Sequence, residues 1–164
     1  MLGLLSGQFD SSQLIFYTIQ SNLVILISYG YLLLKSLLVS RKAQRLVAVD
    51  FNATIMGALT LMSLVTGLIY NFVLAPQMPV DVAYSVNNWS NFLAHTFTPV
   101  MVCIDWLIFA DKSTLTKLSS VTWLIIPLAY WLFSIVRAPI GGAIPQLGNQ
   151  SRYPYFFINS DLNG

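Results

Sequence analysis

The sequence predicts an all-α membrane protein, a polytopic bundle of four transmembrane helices. Hydrophobic residues make up 56% of its 164 residues and charged residues only 9%, whereas a soluble domain carries about a quarter charged residues. Four apolar segments reach or approach the roughly 20 residues that a membrane-spanning helix needs. Backbone groups in lipid must find their partners within the segment, so each segment is expected to be an α-helix.

The expected spans lie in a single membrane domain and are joined by short connections. They cover residues 14–38, 47–74, 89–110 and 119–136, and residues 137–164 form an outer loop and tail. Short connections predict that neighbouring helices run antiparallel.

Each of the first two spans has a face suited to helix packing. The first carries polar residues at helical spacing, among them Thr18, Ser21 and Asn22, which indicates a polar stripe. The second has small residues along one side, including Gly57 and Gly67. Small residues at this spacing allow helices to approach closely, so these faces are expected to meet inside the bundle.

The third span holds the only histidine of the chain, His95, on one face with Asn91. Pro99 follows four residues later and has no N–H, so the carbonyl of His95 is expected to lose its helix partner. Ionisable groups are costly within a membrane, which makes His95 and Asp105 functional candidates.

The fourth span is interrupted by Pro127 and carries Tyr130, Ser134 and Arg137 on one face. Arg137 has two interpretations. It binds the carboxylate or phosphate of a lipid-like ligand, or it extends to the membrane interface as arginines at helix ends commonly do.

The distribution of basic residues predicts the orientation of the bundle. Six of the eight basic residues flank the first and third connections: Lys35, Arg41, Lys42, Arg45, Lys112 and Lys117. The positive-inside rule therefore places loops 40–46 and 111–118 in the cytoplasm. Both ends of the chain and residues 75–88 are expected on the outside.

Thr18 and His95 are candidates for a nucleophile and a general base. Each lies about six residues, or about 9 Å, below the expected outer boundary, and a hydroxyl beside an imidazole suits acyl transfer. In the structural alternative, Thr18 bonds a carbonyl of its own helix and His95 links two helices. Asp105 lies about 15 Å deeper, so we do not expect it to orient the imidazole. It could relay protons or pin helices through Asn52 or a tyrosine, and we favour the pin.

Several kinds of chemistry have no support in the sequence. There is no CxxC pair, histidine cluster or acidic pair at metal-ligand spacing, so no metal or other cofactor is expected. The net charge of +2 does not suggest a nucleic-acid partner. The expected partners are membrane lipids and a lipid-like small-molecule substrate.

Three stretches resemble the bacterial Pr-six-Pr membrane proteins: FYTIQSNL, LAHTFTPVMVCIDWLIF and RYPYFF. That family is similar to the eukaryotic androgen-induced, FAR-17a-type integral membrane proteins, some of which hydrolyse fatty acid esters of hydroxy fatty acids. The resemblance implies Thr18, in its T-x-x-x-N-L context with Asn22 and Leu23, as the nucleophile and His95 as the second catalytic residue. It also implies a bacterial cell membrane and six spans, so this chain is expected to be a fragment without two flanking helices.

The first functional hypothesis is an intramembrane hydrolase of fatty-acyl esters. Thr18 attacks the ester carbonyl, His95 acts first as base and then as acid, and Asn22, Asn91 or a tyrosine donates to the oxyanion. Tyr130 and Arg137 lie at a similar depth to Thr18 and His95, and they are expected to help bind the substrate or to support the polar network.

The second hypothesis is a non-enzymatic membrane protein, such as a small-molecule binder, a transporter component or a structural partner. In that case four polar residues form an interhelical network: Thr18, Asn22, Asn91 and His95.

Overall fold

The computed structural model describes residues 11–43, 51–78, 89–145, 147 and 151–163. Within these residues every regular element is helical and none is a strand. Four helices are long and apolar enough to cross a membrane: α1 (Tyr17–Ala43), α2 (Ala53–Gln77), α3 (Trp89–Phe109) and a fourth span over Lys117–Gly141. The predicted all-α class and the four spans are therefore confirmed.

The fourth span consists of two helices, α4 (Lys117–Trp123) and α5 (Ile125–Gly141). The short elements are 3-10 turns over Ser11–Ile15, Lys112–Thr114 and Phe156–Ile158 and a final helical turn, α6 (Ser160–Asn163).

The start of α2 is set by a side-chain cap. The Oδ1 atom of Asn52 accepts a hydrogen bond of 3.0 Å from the backbone N–H of Ile55, which satisfies one of the first-turn amides. The expected start at residues 47–50 lies outside the described residues. Among the described ones, the helix begins at Ala53.

The fourth span differs from its prediction at both the break and the end. The helix is interrupted at Leu124, and Pro127 lies in the first turn of α5, where a missing N–H is tolerated. The predicted span ends at about residue 136, whereas the helix α5 continues through Pro139 to Gly141. Gly142 then adopts a positive φ of 67°, the left-handed conformation that commonly ends helices.

The chain forms two compact units, where the sequence predicts one domain. One unit comprises residues 1–20 and 125–164, and the other comprises residues 21–124. The first therefore contains the start of α1, all of α5 and the C-terminal segment. The second contains the rest of α1 together with α2, α3 and α4.

In the second unit α2 is the central helix and its small residues mark the closest approaches. Gly57 faces the ring of Trp123, and Gly67 faces Pro99. The indole N–H of Trp123 donates to the carbonyl of Thr54 at 2.8 Å, which fixes α4 against the start of α2. The small-residue face predicted for the second span is therefore a packing face.

Candidate functional site

The site in the second unit begins with an irregularity in α3. Residues Leu93–Phe97 form a π-turn, in which the N–H of Thr98 donates to the carbonyl of Leu93, five residues earlier. Pro99 follows and has no N–H to donate. The carbonyls of Ala94 and His95 therefore do not receive the hydrogen bond that an α-helix supplies from the residue four positions later.

Two asparagine side chains from neighbouring helices donate to these carbonyls. The Nδ2 atom of Asn71 lies 3.0 Å from the carbonyl oxygen of His95. The Nδ2 atom of Asn22 lies 3.2 Å from the carbonyl oxygen of Ala94. Because lipid offers no hydrogen-bond partner, such side chains are needed wherever a membrane helix departs from regular geometry.

Asn71 reaches α3 from a second π-turn, over Tyr70–Leu74 in α2. Its Nδ2 atom also donates to the carbonyl of Gly67 at 2.8 Å, so one amide group serves both helices. A Cβ atom on Gly67 would lie 3.1 Å from the carbonyl oxygen of His95. The glycine therefore permits the close approach that brings the two π-turns into contact, and such turns are frequent at functional sites.

The imidazole of His95 has a defined orientation. Its Nδ1 atom lies 3.0 Å from the carbonyl oxygen of Asn91, and its ring stacks on Tyr70 with centroids 3.9 Å apart. A carbonyl only accepts hydrogen bonds, so Nδ1 must carry the proton that is shared with it. The neutral ring then has its lone pair on Nε2, which is the form that a general base requires.

Asn91 makes hydrogen bonds to both stacked residues, His95 and Tyr70. Its carbonyl accepts from His95, and its Nδ2 atom donates to the hydroxyl of Tyr70, the ring on which His95 stacks. Asn91 and Asn22, the two predicted oxyanion donors, both donate amide hydrogen bonds within the second unit. Their placement supports the orientation of His95 and the geometry of α3.

Asp105 lies on the last turns of α3 and accepts a hydrogen bond of 2.8 Å from the hydroxyl of Tyr29 in α1. The prediction that Asp105 pins helices through a tyrosine is thus confirmed. Of the two partners suggested by the sequence, Asn52 instead caps α2.

Thr18 lies in the first unit, on the first turn of α1. Its side chain shares a hydrogen bond with the hydroxyl of Tyr155, and the backbone amides of Tyr17 and Thr18 also donate to that phenol. First-turn amides have no partner within their own helix, so Tyr155 caps the start of α1. Burial raises the pKa of Tyr155, although these hydrogen bonds oppose the rise, so the phenol is neutral at physiological pH.

Tyr155 was not among the residues predicted for the site. It lies 137 positions after Thr18, within the RYPYFF stretch of the C-terminal segment. No periodic pattern indicates that this tyrosine returns to the first turn of α1.

Tyr130 and Arg137, the predicted substrate-supporting residues, both bind the backbone of the first unit. The hydroxyl of Tyr130 donates to the carbonyl of Ile15 at 2.9 Å, just before α1. The terminal nitrogens of Arg137 donate to the carbonyls of Gly141, Gly142 and Arg152 at 2.9–3.0 Å. Arg137 thus joins the end of α5 to the C-terminal segment, which differs from both roles predicted for it, ligand binding and extension to the membrane interface.

The predicted catalytic residues belong to different units, Thr18 to the first and His95 to the second. Their pairing stays a prediction. Each is nevertheless held by hydrogen bonds within its own unit, through Tyr155 and Asn91 respectively.

No protein-family model, curated protein or solved structure matches this chain. The fold defines a polytopic helical membrane protein. Any assignment of function therefore rests on the chemistry of the residues described above.

Proposed function

We propose that this chain is an intramembrane hydrolase of fatty-acyl esters, with Thr18 as the nucleophile and His95 as the general base. The observation that carries the proposal is the orientation of His95. Its Nδ1–H donates to the carbonyl of Asn91 at 3.0 Å, so its lone pair lies on Nε2. A general base needs a nitrogen of this kind, held in one orientation and in the neutral form.

The chemistry follows the usual course of covalent acyl transfer. The hydroxyl oxygen of Thr18 attacks the ester carbonyl while Nε2 of His95 takes its proton. Collapse of the tetrahedral intermediate breaks the ester bond, and the imidazolium returns that proton to the departing alcohol. Water then attacks the acyl-threonine with the same help from His95, which releases the fatty acid and restores Thr18.

The resemblance of FYTIQSNL and LAHTFTPVMVCIDWLIF to the Pr-six-Pr proteins supports the same pair of residues. It also supports a bacterial cell membrane as the location. In the orientation that we propose, the basic residues Arg41 and Lys42 at the end of α1 face the cytoplasm. The start of α1 and the C-terminal segment then face the outside.

The proposal is tested by labelling the detergent-purified protein with a fluorophosphonate probe, which reacts with activated hydroxyl nucleophiles. We expect labelling of the wild type and of Thr18→Ser, and none of Thr18→Ala or His95→Ala. Thr60→Ala is the matched control, because the buried hydroxyl of Thr60 donates to the carbonyl of Met56 within α2. Circular dichroism and thermal denaturation establish that each variant is folded.

Absence of labelling in the folded wild type would reject the threonine nucleophile. Labelling that survives Thr18→Ala would reject it as well, and labelling that is lost in Thr60→Ala would show that the assay reports on stability.

The second candidate is a membrane protein without catalytic activity, in which His95 belongs to a structural polar network. The hydrogen bonds from Asn22 and Asn71 to the carbonyls of α3 favour this alternative, because they join helices without any contribution from a substrate. Such a protein would bind a small molecule, form part of a transporter or support another membrane protein. It predicts that His95→Ala lowers stability about as much as Asn71→Ala does, with no labelling of the wild type.

A further inference from the structure

Three tyrosines of the first unit surround the first turn of α1. The ring of Tyr130 lies 4.8 Å from that of Tyr17 and 6.4 Å from that of Tyr155, measured between centroids. Phe16 adds an edge-on contact with Tyr155 at 6.2 Å. Of their three hydroxyls, that of Tyr155 shares a hydrogen bond with the side chain of Thr18.

Two of the three hydroxyls have protein partners. Tyr130 donates to the carbonyl of Ile15, and Tyr155 shares hydrogen bonds with Thr18 and the first-turn amides of α1. The hydroxyl of Tyr17 differs from both. Its side chain is only 6% exposed, and its oxygen is buried without a hydrogen-bond partner among the described residues.

A buried hydroxyl without a partner is uncommon, because it loses its hydrogen bonds to water and gains none in return. A phenol is a good donor, so the group that completes this arrangement is a hydrogen-bond acceptor. Tyr17 immediately precedes Thr18 in the chain, and its ring packs edge-on against that of Tyr130, which in turn lies next to Tyr155. The missing acceptor therefore belongs to the same cluster of tyrosines as the first turn of α1.

The acceptor is expected to be neutral. The terminal guanidinium nitrogens of Arg137 already donate to backbone carbonyls. The other basic residue described in the first unit, Arg152, has an exposed side chain. A carboxylate or phosphate beside three neutral phenols would therefore be a buried charge without a counter-ion, which is strongly unfavourable. The carbonyl oxygen of an ester is neutral, accepts hydrogen bonds and is abundant in membrane lipids.

We infer that the hydroxyl of Tyr17, beside Thr18 and Tyr155, binds one ester carbonyl oxygen of a lipid. This inference deepens the proposed function, on which it rests for the identity of the ligand as a substrate. In that reaction Tyr17 would donate to the oxygen on which negative charge develops when Thr18 attacks the carbonyl carbon. Binding of the ester does not itself require hydrolysis.

Infrared difference spectroscopy with methyl oleate, labelled with ¹³C at its carbonyl carbon, tests the inference. The protein is held in dodecyl maltoside, which has no ester carbonyl, and His95→Ala is measured beside the wild type so that hydrolysis cannot remove the probe. We expect a carbonyl band at lower wavenumber than that of the probe in detergent alone, lasting in His95→Ala and present in the wild type before the ester is hydrolysed.

Tyr17→Phe is expected to abolish this shifted band and to weaken binding of methyl oleate about tenfold. It removes no hydrogen bond to a described residue, so the thermal midpoint without ester should not fall. Tyr153→Phe is the matched control, because the hydroxyl of Tyr153 bonds to Ser160 elsewhere in the first unit. This variant should keep the shifted band.

Absence of a shifted band from the wild type and from His95→Ala would overturn the inference and indicate that water is the partner of Tyr17. A shifted band that persists in Tyr17→Phe would overturn it too. Failure of fluorophosphonate labelling with the shifted band intact would reject hydrolysis while retaining the ester site.

Discussion

The side-chain amide of Asn71 donates to the main-chain carbonyl of His95 at a distance of 3.0 Å. In a regular helix that carbonyl would accept from residue 99, but Pro99 has no N–H. A residue of α2 thus replaces a hydrogen bond that α3 lacks. The π-turn that carries the only histidine of the chain is therefore stabilised by a side chain of the neighbouring helix α2.

Asn71→Ala is expected to lower the free energy of unfolding by about 1–2 kcal/mol, because the carbonyl of His95 would be left without this donor. The loss should also disturb the imidazole and reduce fluorophosphonate labelling. Unfolding in mixed micelles of mild detergent and dodecyl sulfate measures the change in stability.

Gln77→Ala is the control for Asn71→Ala. Gln77 donates to the carbonyl of Val73 within the same helix at an exposed position, so its loss should change stability by less than about 0.5 kcal/mol. Equal effects of the two substitutions would contradict the role assigned to Asn71.

Pro99→Ala should make Asn71 less important, because an alanine N–H can donate to the carbonyl of His95. We therefore expect Asn71→Ala to destabilise the Pro99→Ala protein less than it destabilises the wild type. A double-mutant cycle measures the difference, which should be about 0.5–1 kcal/mol. Strictly additive effects would show that the amide and the proline are not coupled.

Gly67→Ala is expected to destabilise the protein by about 1–3 kcal/mol. The added Cβ would lie 3.0 Å from Cβ of Pro99 and 3.1 Å from the carbonyl oxygen of His95. Gly30→Ala provides the comparison, since nothing lies within 4 Å of its added Cβ. That substitution should be neutral or stabilise by up to about 1 kcal/mol, and the reverse order of the two variants would argue against close packing at Gly67.

Substitutions at Tyr29 and Asp105 distinguish a structural role of Asp105 from a role in proton transfer. Tyr29→Phe removes the donor to a carboxylate and is expected to destabilise by about 1–2 kcal/mol. Asp105→Asn keeps an oxygen that can accept from Tyr29, so stability and labelling should change little. Loss of labelling in a stable Asp105→Asn protein would instead indicate that the carboxylate takes part in function.

Much of the fold could be predicted because length and hydropathy define membrane helices. That the carbonyl of His95 lacks its helix partner could also be predicted, because Pro99 follows four residues later. A hydrogen bond from a tyrosine to Asp105 could be predicted, because a carboxylate within a membrane requires a donor. Which tyrosine donates, Tyr29, could not.

The rest depends on which side chains meet, and spacing does not reveal this. Asn71 donates to α3 from a π-turn in α2, and no residue in that turn indicates it in the sequence. Tyr155 reaches α1 from the far end of the chain. The fourth span stays helical through Pro139 to Gly141, and the carbonyls of Gly141 and Gly142 accept from Arg137, contacts that a pattern of apolar residues cannot show.

The central claim is that His95 is held as a neutral base with its lone pair on Nε2. Because the chain has one histidine, a sample labelled with ¹⁵N-histidine gives the signals of a single ring, and nuclear magnetic resonance distinguishes its protonated nitrogen. The account predicts a proton on Nδ1 and none on Nε2 at neutral pH, with this pattern disturbed in Asn71→Ala. A proton on Nε2, or on both nitrogens, would contradict it.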